Sequence, residues 1–187
     1  YVGKDYSLGG ITLLCKFDGQ RVTMASQIAG ADETVSSLYS VKSEQATMLS
    51  FDTYNYLVHY FGQPQGSMAD DPNGTLGGDY EFVISDATAD RIELKGKKYG
   101  NRIVMKAFSA DQTWKQYLTR IKKVEDDAFF YEYDLRMDGL YTGQMLRSNY
   151  TFIVTYYDEV GKVYQKTVPF MFTTDGMRFH EPVTIDG

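Results

Sequence analysis

Few residues in this chain are equipped for chemistry. Its 187 residues include 2 histidines and 1 cysteine. His59 and His180 have no cysteine or histidine partner at the spacing a zinc site uses. His59 reads as a surface or groove residue and His180 as a turn residue. A Ser-His-Asp triad assembles in space rather than along the chain, but no G-x-S-x-G turn is present to expose a serine nucleophile. Cys15 alternates with Ile11, Leu13 and Phe17 on one strand face, where a free cysteine acts as a small hydrophobe. A lipid-attachment reading of Cys15 fails, because Leu14 stands where a small residue belongs.

Acidic groups offer two further possibilities. Asp70, Asp71 and Asn73, with Asp79 nearby, gather oxygen ligands of the kind calcium takes. No glutamate closes an EF-hand there, and acidic glycine-rich loops are commonly just solvated, so these are weak metal candidates. Asp79 with Glu81, and Glu132 with Asp134, are carboxylates two residues apart on a strand face, roughly 7 Å along the strand. Glycosidase acids need comparable separations, yet any solvent-facing strand shows the same pattern, and that is the plainer reading. No catalytic residue is therefore assigned, no cofactor is expected, and the chain reads as a non-enzyme.

The tyrosines are more suggestive. Tyr54, Tyr56 and Tyr60 cluster with His59 beside a long loop, Gly62 to Gly78. Flat rings with a polar edge suit sugar or peptide contacts, and long loops in compact domains are often functional. Tyrosine is also an ordinary strand former, and the chain has 16 of them. Tyr54, Tyr56, His59 and Tyr60 are the candidate ligand-binding residues.

Several elements must position that cluster. The aromatic content of 15% already leans towards strands. Two-residue alternation runs through Ile11–Phe17, Arg21–Ser26, Ser37–Val41, Thr47–Phe51, the segments around Phe82, Leu94 and Ile103, then Phe129–Met137, Tyr150–Tyr156 and Val163–Phe172. Asp18-Gly19, Asp138-Gly139 and Asp175-Gly176 punctuate it as hairpin turns. Pro169 predicts an edge strand or a bulge, since proline donates nothing to a ladder. Tyr54, Leu57, Val58 and Phe61 recur at helical spacing and predict a short helix with Asp52 as N-cap. Ser109 to Gln112 reads as a capping box that opens a helix from Asp111 to Lys122, with Asp111 and Lys115 as an i, i+4 pair. The expected fold class is mostly β: an antiparallel meander that resembles the lipocalin-like one and forms a barrel or half-barrel over 1–108, then a helix and a smaller antiparallel β unit over 109–187, as two domains or one continuous one.

The net charge of −6 argues against nucleic acid or an anionic membrane face as partner. The densest basic stretch, Lys95-Gly96-Lys97-Lys98, reads as a hairpin tip. No apolar run approaches the ~18 residues that span a bilayer.

Leu49-Ser50-Phe51-Asp52-Thr53-Tyr54-Asn55 with His59-Tyr60-Phe61, Gly78-Asp79-Tyr80-Glu81-Phe82-Val83, Arg91-Ile92-Glu93-Leu94-Lys95-Gly96-Lys97-Lys98, and Thr174 to Phe179 with Glu181-Pro182 together resemble domain-of-unknown-function family 4302. The resemblance covers most of the chain. It implies a cell-envelope lipoprotein of Gram-negative bacteria, periplasmic or surface-exposed, often encoded beside glycan-uptake machinery. The lipid-bearing cysteine would lie upstream of Tyr1 and supply the only membrane attachment, and a further N-terminal strand would complete the barrel. The family carries no assigned activity, so no catalytic residue transfers. The expected function is non-enzymatic binding of a ligand or partner, a glycan or another envelope protein. The alternatives are a hydrolase using the acids near residues 62–81, and a purely structural or assembly module.

Overall fold

The protein is mostly β, as a computed structural model that describes residues 1–43, 45–64, 75–128, 130–138 and 140–184. The first half builds seven strands: β1 (Leu13–Asp18), β2 (Arg21–Ser26), β3 (Val35–Ser43), β4 (Thr47–Phe51), β5 (Glu81–Ala87), β6 (Arg91–Gly96) and β7 (Arg102–Lys106). They pair antiparallel in chain order, a meander curled into a half-barrel. The Asp18-Gly19 signal marks a real hairpin: Asp18 pairs with Arg21, and Gly19 takes a left-handed φ of 59°. Glycine adopts that conformation without the steric cost a Cβ would bring.

Alternation sorts each strand into an inner and an outer row. The inner row of this sheet carries Val22, Met24, Leu49, Phe51, Phe82 and Leu94, all buried in one cluster. Cys15 packs at its margin, and burial pushes its thiol up to about 12. The short helix α1 (Tyr56–His59) between β4 and β5 adds Leu57 and Val58 to that cluster and so caps it.

The second sheet holds β8 (Glu132–Met137), β9 (Leu140–Ser148), β10 (Thr151–Tyr157), β11 (Val163–Thr173) and β12 (Gly176–Phe179), ordered β12-β11-β10-β9-β8. Its core is aromatic: Phe152, Phe170 and Phe172 are fully buried, with Phe152 and Phe170 stacked at 4.5 Å. The strand containing Pro169 is not at the edge, because β11 lies between β10 and β12. The proline is tolerated because it sits beyond the last β11–β12 pair, Phe170 with Phe179.

Between the sheets runs α2 (Trp114–Asp127). Its residue Leu118 packs on Leu14 and Ala25 of the first sheet's outer face, and Ile121 packs in the aromatic core of the second. The helix begins later than the sequence predicts. Thr113, not Ser109, is the N-cap: its hydroxyl accepts from Gln116 N at 3.2 Å, and Gln116 Oε1 accepts from Thr113 N at 2.9 Å. Both Ser-x-x-Gln and Thr-x-x-Gln satisfy the capping pattern, and only the register that buries Leu118 and Ile121 packs. Lys115 accordingly bridges to Asp32 at 2.7 Å rather than to Asp111. The N-terminal segment also reaches both sheets, with Gly10 N donating to Phe170 O at 2.8 Å and Gly3 N to Asn101 Oδ1 at 2.9 Å.

Candidate functional site

The tyrosine-rich cluster is organised from below by Asn55. This residue, not Asp52, is the N-cap of α1, and it is fully buried. Its Oδ1 accepts from Leu57 N at 3.1 Å, and its Nδ2 donates to Ser37 Oγ at 3.2 Å. One amide thus ends the helix and ties it to β3. Leu57 and Val58 point into the sheet, Tyr56 packs at the margin of the same cluster, and His59 is left half-buried at the surface.

His59 Nδ1 lies 3.1 Å from both the N–H and the carbonyl oxygen of Asn55, which fixes the ring against the helix start. The imidazole stacks on Tyr80, with centroids 4.8 Å apart and planes at 18°. Tyr54 leans on the same imidazole at 5.6 Å. Tyr54, His59 and Tyr80 therefore form a continuous row of rings. The outer two are open to solvent, Tyr54 at 61% and Tyr80 at 42% exposure. Tyr60 lies alongside, edge-on to Phe61 at 5.4 Å.

Tyr56 points elsewhere. Its hydroxyl donates to the Glu33 carboxylate in the β2–β3 loop, and that bond, aided by partial burial, pushes the phenol up to about 12. The structure thus brings Tyr54 and His59 together, leaves Tyr60 against Phe61, and ties Tyr56 to Glu33.

Tyr80 is a member the sequence reading missed. It reads there only as a strand residue alternating with Phe82 and Ile84. It is brought in by close backbone approach: a Cβ on Gly78 would lie 2.3 Å from Phe61 Cβ, and one on Gly62 would lie 2.8 Å from Gly78 O. Only glycines let the chain leaving α1 touch the chain entering β5. The pairing of glycines either side of the loop was the available signal.

The acidic candidates fare differently. Asp70, Asp71 and Asn73 lie outside the described residues. Asp79 is buried and committed to the β6–β7 turn. Its carboxylate accepts from Lys98 N at 2.7 Å, Tyr99 N at 3.0 Å, Asn101 N at 3.1 Å and Asn101 Nδ2 at 2.8 Å. Gly96 permits this approach, since a Cβ there would meet Asp79 Oδ2 at 1.9 Å. Glu81 bridges to Lys97 at 3.2 Å. Glu132 pairs with Gln144, and Asp134 with Arg136 at 2.9 Å, both on an exposed strand face. Among the described residues no three histidine, cysteine or carboxylate groups gather as a metal site. His180 lies between the rings of Tyr1 and Tyr6, each at 4.3 Å, far from α1 in sequence and packing. The clefts at Tyr6, Ser85, Glu93, Lys95 and Arg102 and at the start of α2 include no α1 residue.

No curated protein and no solved structure matches this chain. A family model described as a domain of unknown function, DUF4302, matches residues 1–187, and the chain belongs to that family.

Proposed function

We propose that this is a non-enzymatic binding domain of the cell envelope that holds a saccharide against the Tyr54–His59–Tyr80 row. The observation that carries this reading is the row itself: His59, on a helix clamped at its start by a buried asparagine, touches the rings of both Tyr54 and Tyr80, and those two are more than two-fifths exposed. Flat faces with polar edges pair with the C–H faces and hydroxyls of a sugar, and the rotamer entropy of binding is already spent because the rings brace one another. The half-barrel then serves as a lipocalin-like platform, held at the membrane only through a lipid anchor upstream of Tyr1. A hydrolytic role would draw on the acids near residues 62–81, and of these Asp79 has its oxygens taken by the turn it organises. Binding is thus the reading the geometry favours.

The test is binding of the full chain to a panel of neutral and acidic polysaccharides, beside Tyr54→Ala and Tyr80→Ala. Saturable binding is expected, weakened about tenfold in each variant, since one stacked aromatic ring contributes about 1 kcal/mol beyond its buried area. A blank panel, or binding indifferent to both substitutions, contradicts the proposal.

A further inference from the structure

We infer that β8 is a self-pairing edge, on which a second copy of this chain adds its own β8 antiparallel. The strand pairs with β9 on one side, and among the described residues it ends the sheet order on the other. Such an edge presents unpaired N–H and C=O groups unless something blunts it. The sequence of β8, Glu132-Tyr133-Asp134-Leu135-Arg136-Met137, has no proline and no lysine. The irregularity in its ladder falls on the inner neighbour: Leu135 pairs with Gly143 and Arg136 with Tyr141, so the extra residue belongs to β9 and β8 runs unbroken. By contrast, β7 has the N-terminal residue bonded to Arg102 O at its start, and β12 is only 4 residues long.

The occupant follows from the pattern. Arg147 N donates to Tyr131 O across the β8–β9 ladder. Backbone groups alternate along an antiparallel strand, so those of Tyr133 and Leu135 also face β9, and those of Asp134 and Arg136 face outward. Residues 133–137 read apolar, acid, apolar, base, apolar. Turned end for end about Leu135, this segment is its own complement. Asp134 meets Arg136 of the second copy, their backbone groups bond reciprocally, and the same pair recurs across the two-fold axis. On the other face Leu135 meets itself and Tyr133 meets Met137. Neighbouring registers lose this match: a shift by two residues sets Asp134 against its own copy, and a shift by one sends apolar residues to the polar face. Asp134 and Arg136 bridge to each other within the chain at 2.9 Å with side chains 55% and 56% exposed, so a second copy exchanges that one solvated bridge for two across the seam, and Met137 stands 46% exposed on the apolar row. Symmetric two-fold pairing is the commonest way homo-oligomers close.

Sedimentation of the full chain over a range of concentrations tests this. Wild type is expected to form a dimer. Arg136→Asp and Asp134→Arg, each of which puts like charges opposite each other twice, are expected to weaken it about tenfold or more. The double variant with both residues exchanged restores the complement and is expected to dimerise like wild type; its recovery separates pairing from misfolding. A wild type that stays monomeric at ~100 μM, well above the micromolar range of weak specific complexes, overturns the inference. So does a dimer that ignores the single reversals, or an exchanged variant that folds and stays monomeric.

Discussion

The seven-stranded and five-stranded sheets cover their apolar faces by different means. The first is lined mainly by aliphatic residues and methionine, and it is capped by α1, an element of 4 residues made from its own connection. The second is lined by phenylalanines and covered by Ile121 of α2, a helix of 14 residues that it shares with the first sheet's outer face. A long helix brings its own amphipathic stripe and leaves a solvated polar face. A single turn cannot, because isolated short helices are not stable on propensity alone. It must be held by buried side chains and a buried cap, and what remains outside is rigid. The five-stranded sheet thus holds a dense aromatic core, and the short cap presents rings at the surface.

Substitutions can break that contrast. The largest effect is expected from Phe170→Ala, which empties the aromatic core at a fully buried position and costs about 3–5 kcal/mol in denaturant unfolding. The ring row should still bind while the protein remains folded. Leu57→Ala is expected to cost about 2–5 kcal/mol. Unlike Phe170→Ala, it frees α1, so saccharide binding falls even where the fold persists. Loss of binding in both variants at temperatures where both are folded would erase the distinction. Asp79→Asn replaces one of the acceptor oxygens of the β6–β7 turn with a donor and is expected to cost about 1–3 kcal/mol, again by denaturant unfolding, with little change in binding if Asp79 is purely structural.

The smallest effect concerns pH. Burial holds His180 below the ordinary histidine value, with Glu181 opposing the shift. The folded state therefore prefers neutral imidazole. The stability this contributes is present above the unfolded value of about 6.5 and is lost as pH falls below it. Thermal unfolding of His180→Gln should show a flatter acid limb than wild type. An identical limb would place the acid sensitivity in other groups.

Much of this was legible in the sequence. Alternation and Asp-Gly corners marked most strands of both sheets, because a period of two is set by backbone geometry rather than by distant contacts; β9 was missed, since Thr142-Gly143-Gln144 breaks the apolar alternation there, and Gly139 of the Asp138-Gly139 corner lies outside the described residues. The helix starts were less legible. Ser109 and Thr113 both precede a glutamine at the capping distance, and the choice rests on whether Leu118 and Ile121 reach two separate cores. Asp52 and Asn55 competed in the same way, settled by the buried partners Ser37 and Met24. Within the site, Tyr54 and His59 are close in sequence, and their ring contact spans the start of α1. The addition of Tyr80 was not legible, since it depends on a contact closed by Gly62 and Gly78 across a long loop. The second role of Tyr56 depends likewise on Glu33, which nothing local announces.

The central claim is that ligand meets the Tyr54–His59–Tyr80 row. Nuclear magnetic resonance of the aromatic side chains, recorded while soluble oligosaccharides from the panel are added, addresses it most directly. Saturable shifts confined to Tyr54, His59, Tyr80 and their neighbour Tyr60, with Phe152 and Phe170 unmoved, are the predicted result. Rings of the row that stay still while shifts appear on the five-stranded sheet would contradict it.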